Sequence, residues 1–322
     1  MSSRRIVLFT ATAVMLFFIS LYWGMDSTNR QAQTATTPAS LIGTSSAQDL
    51  GSYQSGYILP VSVTNFFPIK KPNTAVPKLS AKAALLYDTA NDKVLFSISS
   101  QKSLPVASLT KLLMATIVLD QLTLNVPVTI TSRSYNVDDL GADFNRGEAL
   151  AVGDLLKAML IKSSNDAAYA LAQAVETKTG KGIVEQLNAK AGLIGMYNSR
   201  FSDPAGLNDD AYSTVEDLLK LVKYSKRYSA IWQIINQPET DVKSVDGRFS
   251  HHIVSTNKLF GVLPNIVGGK TGYTDGAKGC MILEIALPAD DSSLLAIVLG
   301  SDERFADTKT LLEWGRDNFR WH

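Results

Sequence analysis

Hydrophobic and polar positions divide the 322-residue chain into three stretches. An uncharged apolar run over residues 6–25 follows Arg4 and Arg5, and about twenty such residues suffice to cross a bilayer as a helix. Over residues 26–77 the apolar signal gives way to Ser, Thr, Ala, Gln, Gly and Pro without a sustained period, which predicts a flexible extracytoplasmic tether. Within it, Phe66-Phe67-Pro68-Ile69 is an apolar patch that either packs on the folded part or is an ordinary piece of linker. Residues 78–322 carry the pattern of a globular domain. There, 83–87 and 94–98 read as strands of a hairpin closed by Thr89-Ala90-Asn91-Asp92. Residues 109–122 are almost uniformly apolar, the pattern of a helix buried on all sides. A helical period dominates 152–235, most clearly at 167–177 and 214–228. Strand patterns return at 270–273, 280–287 and 294–300, with a turn at Ala289-Asp290-Asp291-Ser292, and a last helix is predicted over 308–319. Strands from both ends of the domain with helices between them predict an α+β architecture: one antiparallel sheet with an inserted helical lobe.

Charge and composition narrow the function. Thirty-one Lys and Arg against thirty Asp and Glu leave a net charge of +1. No basic run interleaved with aromatics provides the footprint that nucleic-acid binding needs. The single cysteine, Cys280, excludes an internal disulfide and a cysteine-built zinc site, and reads as a small buried hydrophobe. Three histidines, His251, His252 and His322, are too few and too badly spaced for a metal cluster or a Ser-His-Asp triad, and His251-His252 reads as an exposed loop pair. No metal and no cofactor are expected. Arg4 and Arg5 before the apolar run, with only Asp26 and Arg30 close behind it, place the N-terminus in the cytoplasm and the domain outside. With no small-x-small cleavage site directly after the run, a single-pass signal anchor is favoured over a cleaved signal peptide, which would give a secreted protein.

Three short patterns occur in order: Ser108-Leu109-Thr110-Lys111, Ser163-Ser164-Asn165 and Lys270-Thr271-Gly272. Each alone is weak. The first spacing recurs at Ser99 to Lys102 and Ser255 to Lys258, but only Ser108 opens a long apolar helix, where positions i and i+3 share a face. As a bare pattern, Ser108 could equally be an N-cap. The third recurs at Lys178-Thr179-Gly180, where Gly180 reads as a helix stop. The second recurs at Ser134 to Asn136 and Ser255 to Asn257, neither of which directly precedes a helix. Together the three resemble the S-x-x-K, S-x-N and K-T-G set of penicillin-binding proteins and serine β-lactamases. Acyl transfer explains the residue types. A serine hydroxyl needs a base within hydrogen-bond reach, and Lys111 can be that base only if burial or a second cation such as Lys270 depresses its pKa. Ser163 would relay a proton to the leaving amine and Asn165 would hold the substrate peptide. Lys270 and Thr271 would meet a terminal carboxylate, and the backbone N–H groups of Ser108 and Tyr273 would form an oxyanion hole.

With Ala107–Leu112, Ser164-Asn165-Asp166-Ala167-Ala168, Gly206-Leu207, Tyr212-Ser213-Thr214 and Gly269-Lys270-Thr271-Gly272-Tyr273-Thr274, residues 79–319 resemble the low-molecular-mass penicillin-binding proteins, the D-alanyl-D-alanine carboxypeptidases. The resemblance implies a β-lactamase/transpeptidase-like three-layer sandwich, an acyl-serine intermediate and a peptidoglycan stem peptide as substrate. It also implies β-lactams as covalent inhibitors. The chain departs from many relatives in lacking an all-β second domain and a C-terminal anchor helix, in having Tyr273 where many carry His, and in lacking an Arg near Thr256 or Asn257. The same motifs allow a cross-link endopeptidase, a β-lactamase or a non-catalytic β-lactam sensor. For a β-lactamase, Asp203-Pro204-Ala205-Gly206-Leu207-Asn208 offers the nearest counterpart of a water-activating carboxylate.

Overall fold

A computed structural model describes residues 67–138, 143–287 and 292–321. The predicted membrane segment and all of the tether up to Phe66 lie outside these residues. Among the described residues no helix is long and apolar enough to cross a membrane.

The chain enters through β1 (Pro68–Lys70), then the hairpin of β2 (Ala83–Asp88) and β3 (Lys93–Ile98). The hairpin closes where Asp88 accepts from the N–H groups of Ala90 and Asn91 and Asp92 adopts a positive φ of 54°, the local bonding that suits Asx residues to turns. A short β4 (Leu104–Pro105) leads through a single 3-10 turn, Ala107–Leu109, into α1 (Thr110–Gln121). Residues 110–118 of α1 are all buried, as the uniform apolar pattern required. A small two-stranded sheet, β5 (Pro127–Thr129) with β6 (Ala149–Ala151), precedes α2 (Val152–Lys157) and a π-helical turn, Ala158–Lys162. The lobe continues with α3 (Asn165–Thr179), stopped by left-handed Gly180, and α4 (Ile183–Ile194). After β7 (Tyr212–Ser213), Thr214 caps α5 (Val215–Ser225) by accepting from Asp217 N, and α6 (Ser229–Ile235) ends the lobe. A hairpin of β8 (Glu239–Lys243) and β9 (Ser250–Val254) precedes β10 (Ile266–Thr274), β11 (Lys278–Leu287) and β12 (Ser292–Ser301). The last elements are α7 (Arg304–Asn318) and β13 (Phe319–Trp321).

The main sheet has the order β10-β11-β12-β2-β3 and is antiparallel throughout. Its strands are two-sided. Ala83, Leu85 and Tyr87 of β2 point into a core shared with the helical lobe, whereas Ala84 and Leu86 point into a second core against α7. This alternation yields three layers, helices, sheet and helix, because period-2 side chains need an apolar partner on both faces. It leaves β10 at one edge of the sheet, where Gly272 comes up against the Ala107–Leu109 turn.

Three local expectations change. His251 and His252 belong to strand β9, not a loop; that hairpin escaped the pattern because most of its side chains are exposed or charged, with Val242 and Ile253 the buried anchors. The last helix begins at Arg304, four residues before its apolar period becomes visible, because Ser80 and Ser301 hydroxyls and the Asp307 carboxylate bond its first turn. Residues Pro68–Lys70, assigned to the tether with the option that the apolar patch packs on the domain, pair with β13. The turn predicted at 289–292 falls largely outside the described residues.

Candidate active site

Ser108 sits in the 3-10 turn that starts the buried helix, one helical turn ahead of Lys111. The Lys111 ammonium is wholly buried and lies 2.8 Å from Ser108 Oγ, 2.7 Å from Asn165 Oδ1 and 2.8 Å from the Ala205 carbonyl oxygen. Three partners fix the head group on the hydroxyl that it would deprotonate. Burial lowers its pKa from 10.5 to about 7, against the opposing pull of Asp203, Asp138 and Asp143.

The second motif is delivered by an irregularity. The π-helical turn Ala158–Lys162 lets Ser164 N reach back to Ala158 O at 3.1 Å, and Ser163 follows in the left-handed region at φ 68°. Such turns recur at functional sites. Ser164 then caps α3 by accepting from Ala167 N, and Asn165 is the first residue of the helix. Both ends of the Asn165 amide are engaged, Oδ1 by Lys111 and Nδ2 by Asp138 at 2.6 Å. Asn165 thus orients Lys111, and its second amide N–H is what can meet a substrate carbonyl. Asp166 accepts from Val137 N and Asp143 N, tying the loop that carries Asp138 to the base of α3.

The third motif lies on edge strand β10. Lys270 is 1% exposed and donates to Ser163 Oγ at 2.8 Å and to Thr271 O at 2.8 Å. Burial drives its pKa well down, and the Lys111 and Arg304 charges add to that. Thr271 Oγ1 lies 2.5 Å from Thr256 Oγ1. A Cβ at Gly272 would sit 3.0 Å from Ser108 N, so strand and nucleophile turn meet backbone to backbone. Tyr273 is 53% exposed at the rim. The eight residues singled out in the sequence therefore converge, six of them in two bonded chains, Ser108–Lys111–Asn165 and Ser163–Lys270–Thr271, with Gly272 against the Ser108 backbone and Tyr273 at the rim.

The repeated copies of each motif do not join them. Gly180 ends α3, Ser99 follows β3 in a turn, and Ser255 follows β9 and bonds Asn257 N. His251 bonds Glu148 at 2.7 Å, and no cluster of metal-ligating side chains occurs among the described residues. Sequence reasoning missed two contributors and gave a third, Asp203, a different role. Thr256 carried no signal, and neither did Asp138. Asp203 carried one, an Asp-Pro-x-Gly turn: its carboxylate accepts from the N–H groups of Ala205, Gly206, Leu207 and Asn208 at 2.6–3.2 Å. That bonding holds the Ala205 carbonyl on Lys111. A carboxylate with four donors around it is not placed to activate water, which removes the main support for a β-lactamase.

Comparison with known proteins agrees with this geometry. Residues 70–303 match the model of the peptidase family described as D-alanyl-D-alanine carboxypeptidase. The chain is 32% identical over 255 residues to a D-alanyl-D-alanine endopeptidase of Pseudomonas aeruginosa, covering 76% of this chain and 80% of that one. It is 27% identical over 252 residues to the carboxypeptidase DacF of Bacillus subtilis, 75% of this chain but 64% of that longer protein. Among solved structures, a D-alanyl-D-alanine carboxypeptidase from Mycobacterium tuberculosis superposes with a TM-score of 0.68 at 25% identity, over 77% of this chain and 96% of that one. Penicillin-binding protein D2 from Listeria monocytogenes, in its ampicillin-bound form, does so with 0.63 at 28%, over 76% and 100%. With the fold, the bonded serine and lysine pairs and the family match in agreement, the chain belongs to the D-alanyl-D-alanine carboxypeptidase family of serine peptidases.

Proposed function

We propose that this chain is an extracytoplasmic D-Ala-D-Ala carboxypeptidase that removes the terminal D-Ala of peptidoglycan pentapeptides through an acyl-Ser108 intermediate. The observation that carries the proposal is the 2.8 Å contact between Ser108 Oγ and a buried Lys111 whose pKa is about 7. Neutral Lys111 takes the Ser108 proton as Oγ attacks the carbonyl carbon of the penultimate D-Ala. The oxyanion meets the N–H groups of Ser108 and Tyr273, where each donor is worth about a hundredfold to a thousandfold. Ser163 relays to the leaving amine the proton that Lys111 took, which leaves Lys111 neutral and Ser163 protonated again, while Lys270 and Thr271 hold the terminal carboxylate, whose charge favours the protonated state of Lys270. Water then hydrolyses the ester with Lys111 again as base. No metal or cofactor enters these steps. β-Lactams follow the same acylation, as supported by the ampicillin-bound relative. The placement outside the membrane, tethered by residues 6–25, rests on the arginines and apolar run of the sequence.

A second reading, cleavage of D-Ala cross-links, is favoured by the endopeptidase name of the Pseudomonas relative. Incubating the full chain with a monomeric pentapeptide muropeptide and a D-Ala cross-linked dimer separates the two. D-Alanine release with an intact dimer supports the carboxypeptidase. Dimer cleavage without release makes it an endopeptidase, and neither reaction overturns both.

A further inference from the structure

Protonated Lys111 donates to Ser108 Oγ, Asn165 Oδ1 and the Ala205 carbonyl oxygen. To act as a base it must give up one of those bonds and keep the right two, because a neutral amine has two N–H groups and one lone pair. The Ala205 carbonyl can only accept, and the turn bonded around Asp203 fixes it in place. Asn165 Oδ1 takes the second N–H, which leaves the lone pair on the Ser108 hydroxyl, the one partner with a proton to give. Asn165 is the weak point of this arrangement. Its amide can turn over about the last side-chain torsion, exchanging Oδ1 for Nδ2 with almost no change of shape. Turned over, it would offer Lys111 a donor. That donor would compete with Ser108 for the lone pair and strand one Lys111 N–H in a wholly buried site.

The orientation is decided at the far side of the amide, where Nδ2 donates to Asp138 Oδ2 at 2.6 Å. A carboxylate accepts and does not donate, so Asp138 keeps the nitrogen on its own side and the oxygen on Lys111. The Ser164 cap that seats Asn165 at the start of α3 suits either orientation. Asp138 lies 27 residues before Asn165. It is half-buried, next to Val137, whose N–H is bonded by Asp166 at 3.0 Å, and the same carboxylate accepts from Asp143 N at 3.0 Å. Asp166 is itself buried in the first turn of α3, so Asp138 is placed by the helix whose first side chain it orients. Asp138 also acts by charge. With Asp203 and Asp143 it favours protonated Lys111, against the burial that disfavours it, and Lys270 is the cation whose field meets that of Lys111.

We propose that Asp138 is a positioning residue for acyl transfer: it locks the Asn165 amide so that neutral Lys111 turns its lone pair to Ser108 Oγ. This rests on the acyl-Ser108 chemistry proposed above, and the experiment separates the two. Acylation of the full chain by benzylpenicillin is followed across pH in the wild type, Asp138→Asn and Asp138→Ala, and in all three again with Asn165→Ala added. With Asn165 in place, Asp138→Ala lowers the high-pH plateau of the acylation rate roughly 10- to 100-fold, the worth of a hydrogen bond to a charged group. Asp138→Asn, whose amide can accept or donate, lowers it less, and keeps the test open where Asp138→Ala does not fold. In the Asn165→Ala background the same changes leave the plateau within about twofold, because no amide remains to turn over. The midpoint of the profile falls to lower pH in both backgrounds, since the lost charge acts through space. Equal plateau losses in the two backgrounds, or no loss with Asn165 present, overturn the proposal. A wild-type chain that penicillin acylates but that releases no D-alanine from a D-Ala-D-Ala peptide sinks the peptidase reading alone, and the penicillin profiles still decide the role of Asp138. One that penicillin does not acylate sinks both.

Discussion

The rate at which a penicillin acylates Ser108 reports how much Lys111 is neutral. An amine with a pKa of about 7 is half neutral at pH 7, whereas one at the ordinary 10.5 is neutral about three times in ten thousand. Burial of the head group therefore supplies roughly a thousandfold more base. Neutral amine accumulates as the proton leaves, so the logarithm of the acylation rate constant should rise about one unit per pH unit below 7 and flatten above it. Rapid-mixing measurements with a fluorescent penicillin from about pH 5.5 to 9 give the profile directly. Lys111→Arg keeps a cation in the pocket but provides no base near neutrality. It should slow acylation by roughly a hundredfold to ten-thousandfold, with no rise through pH 9. Asp203→Asn removes the largest of the charges that pull the Lys111 pKa up, and should move the midpoint to lower pH. A flat profile, or a Lys111→Arg variant at wild-type rate, would refute Lys111 as the base.

The same titration affects stability. Between pH 7 and the ordinary lysine value the unfolded chain holds a proton on Lys111 that the folded chain lacks, so stability rises with pH in that window. The denaturation midpoint in urea should climb from pH 7 to about pH 9, above which Cys280, whose burial raises its thiol from 9.0 to about 11, offsets part of the rise. Gly206 has a φ of +75° and would place a Cβ 1.9 Å from the Ala107 carbonyl oxygen. Gly206→Ala should cost roughly 2–5 kcal/mol in chemical denaturation and slow acylation, since the displaced carbonyl adjoins the nucleophile. A chain beginning at Lys78 loses the β1 pairing, the Lys71 N to Asn318 O bond and the Trp314 Nε1 bond to Ala75 O. It should unfold about 2–3 kcal/mol more easily than one beginning at Phe66.

The fold was legible where one physical signal dominated. Short apolar runs flanking the Asp88–Asp92 turn predicted the β2–β3 hairpin, and the nearly uniform apolar run predicted α1, because a helix buried on every side keeps its buried polar residues few, here Thr110, Lys111 and Thr116. It was illegible where tertiary bonds replaced propensity: β8 and β9 are held by few buried residues, and the first turn of α7 by Ser80, Ser301 and Asp307. The site divided in the same way. Ser108, Lys111, Ser163, Asn165 and Lys270–Tyr273 follow fixed spacings and could be found. Context was still needed to reject Ser99, Ser255 and Lys178, since only a helix start or a sheet edge brings the right copy to the groove. Thr256 and Asp138 enter from unrelated segments, and no spacing announces them. The π-helical turn that sets Ser163 was hidden too, because its residues have ordinary helical patterning.

Every proposed step requires Ser108 to be the acylated residue. Labelling the full chain with a penicillin, digesting it and mapping the adduct by mass spectrometry addresses this directly. The adduct should lie on the peptide containing Ser108, vanish in Ser108→Ala and persist in Ser99→Ala and Ser255→Ala. An adduct on the Ser99 or Ser255 peptide, or labelling that survives in Ser108→Ala, would contradict it.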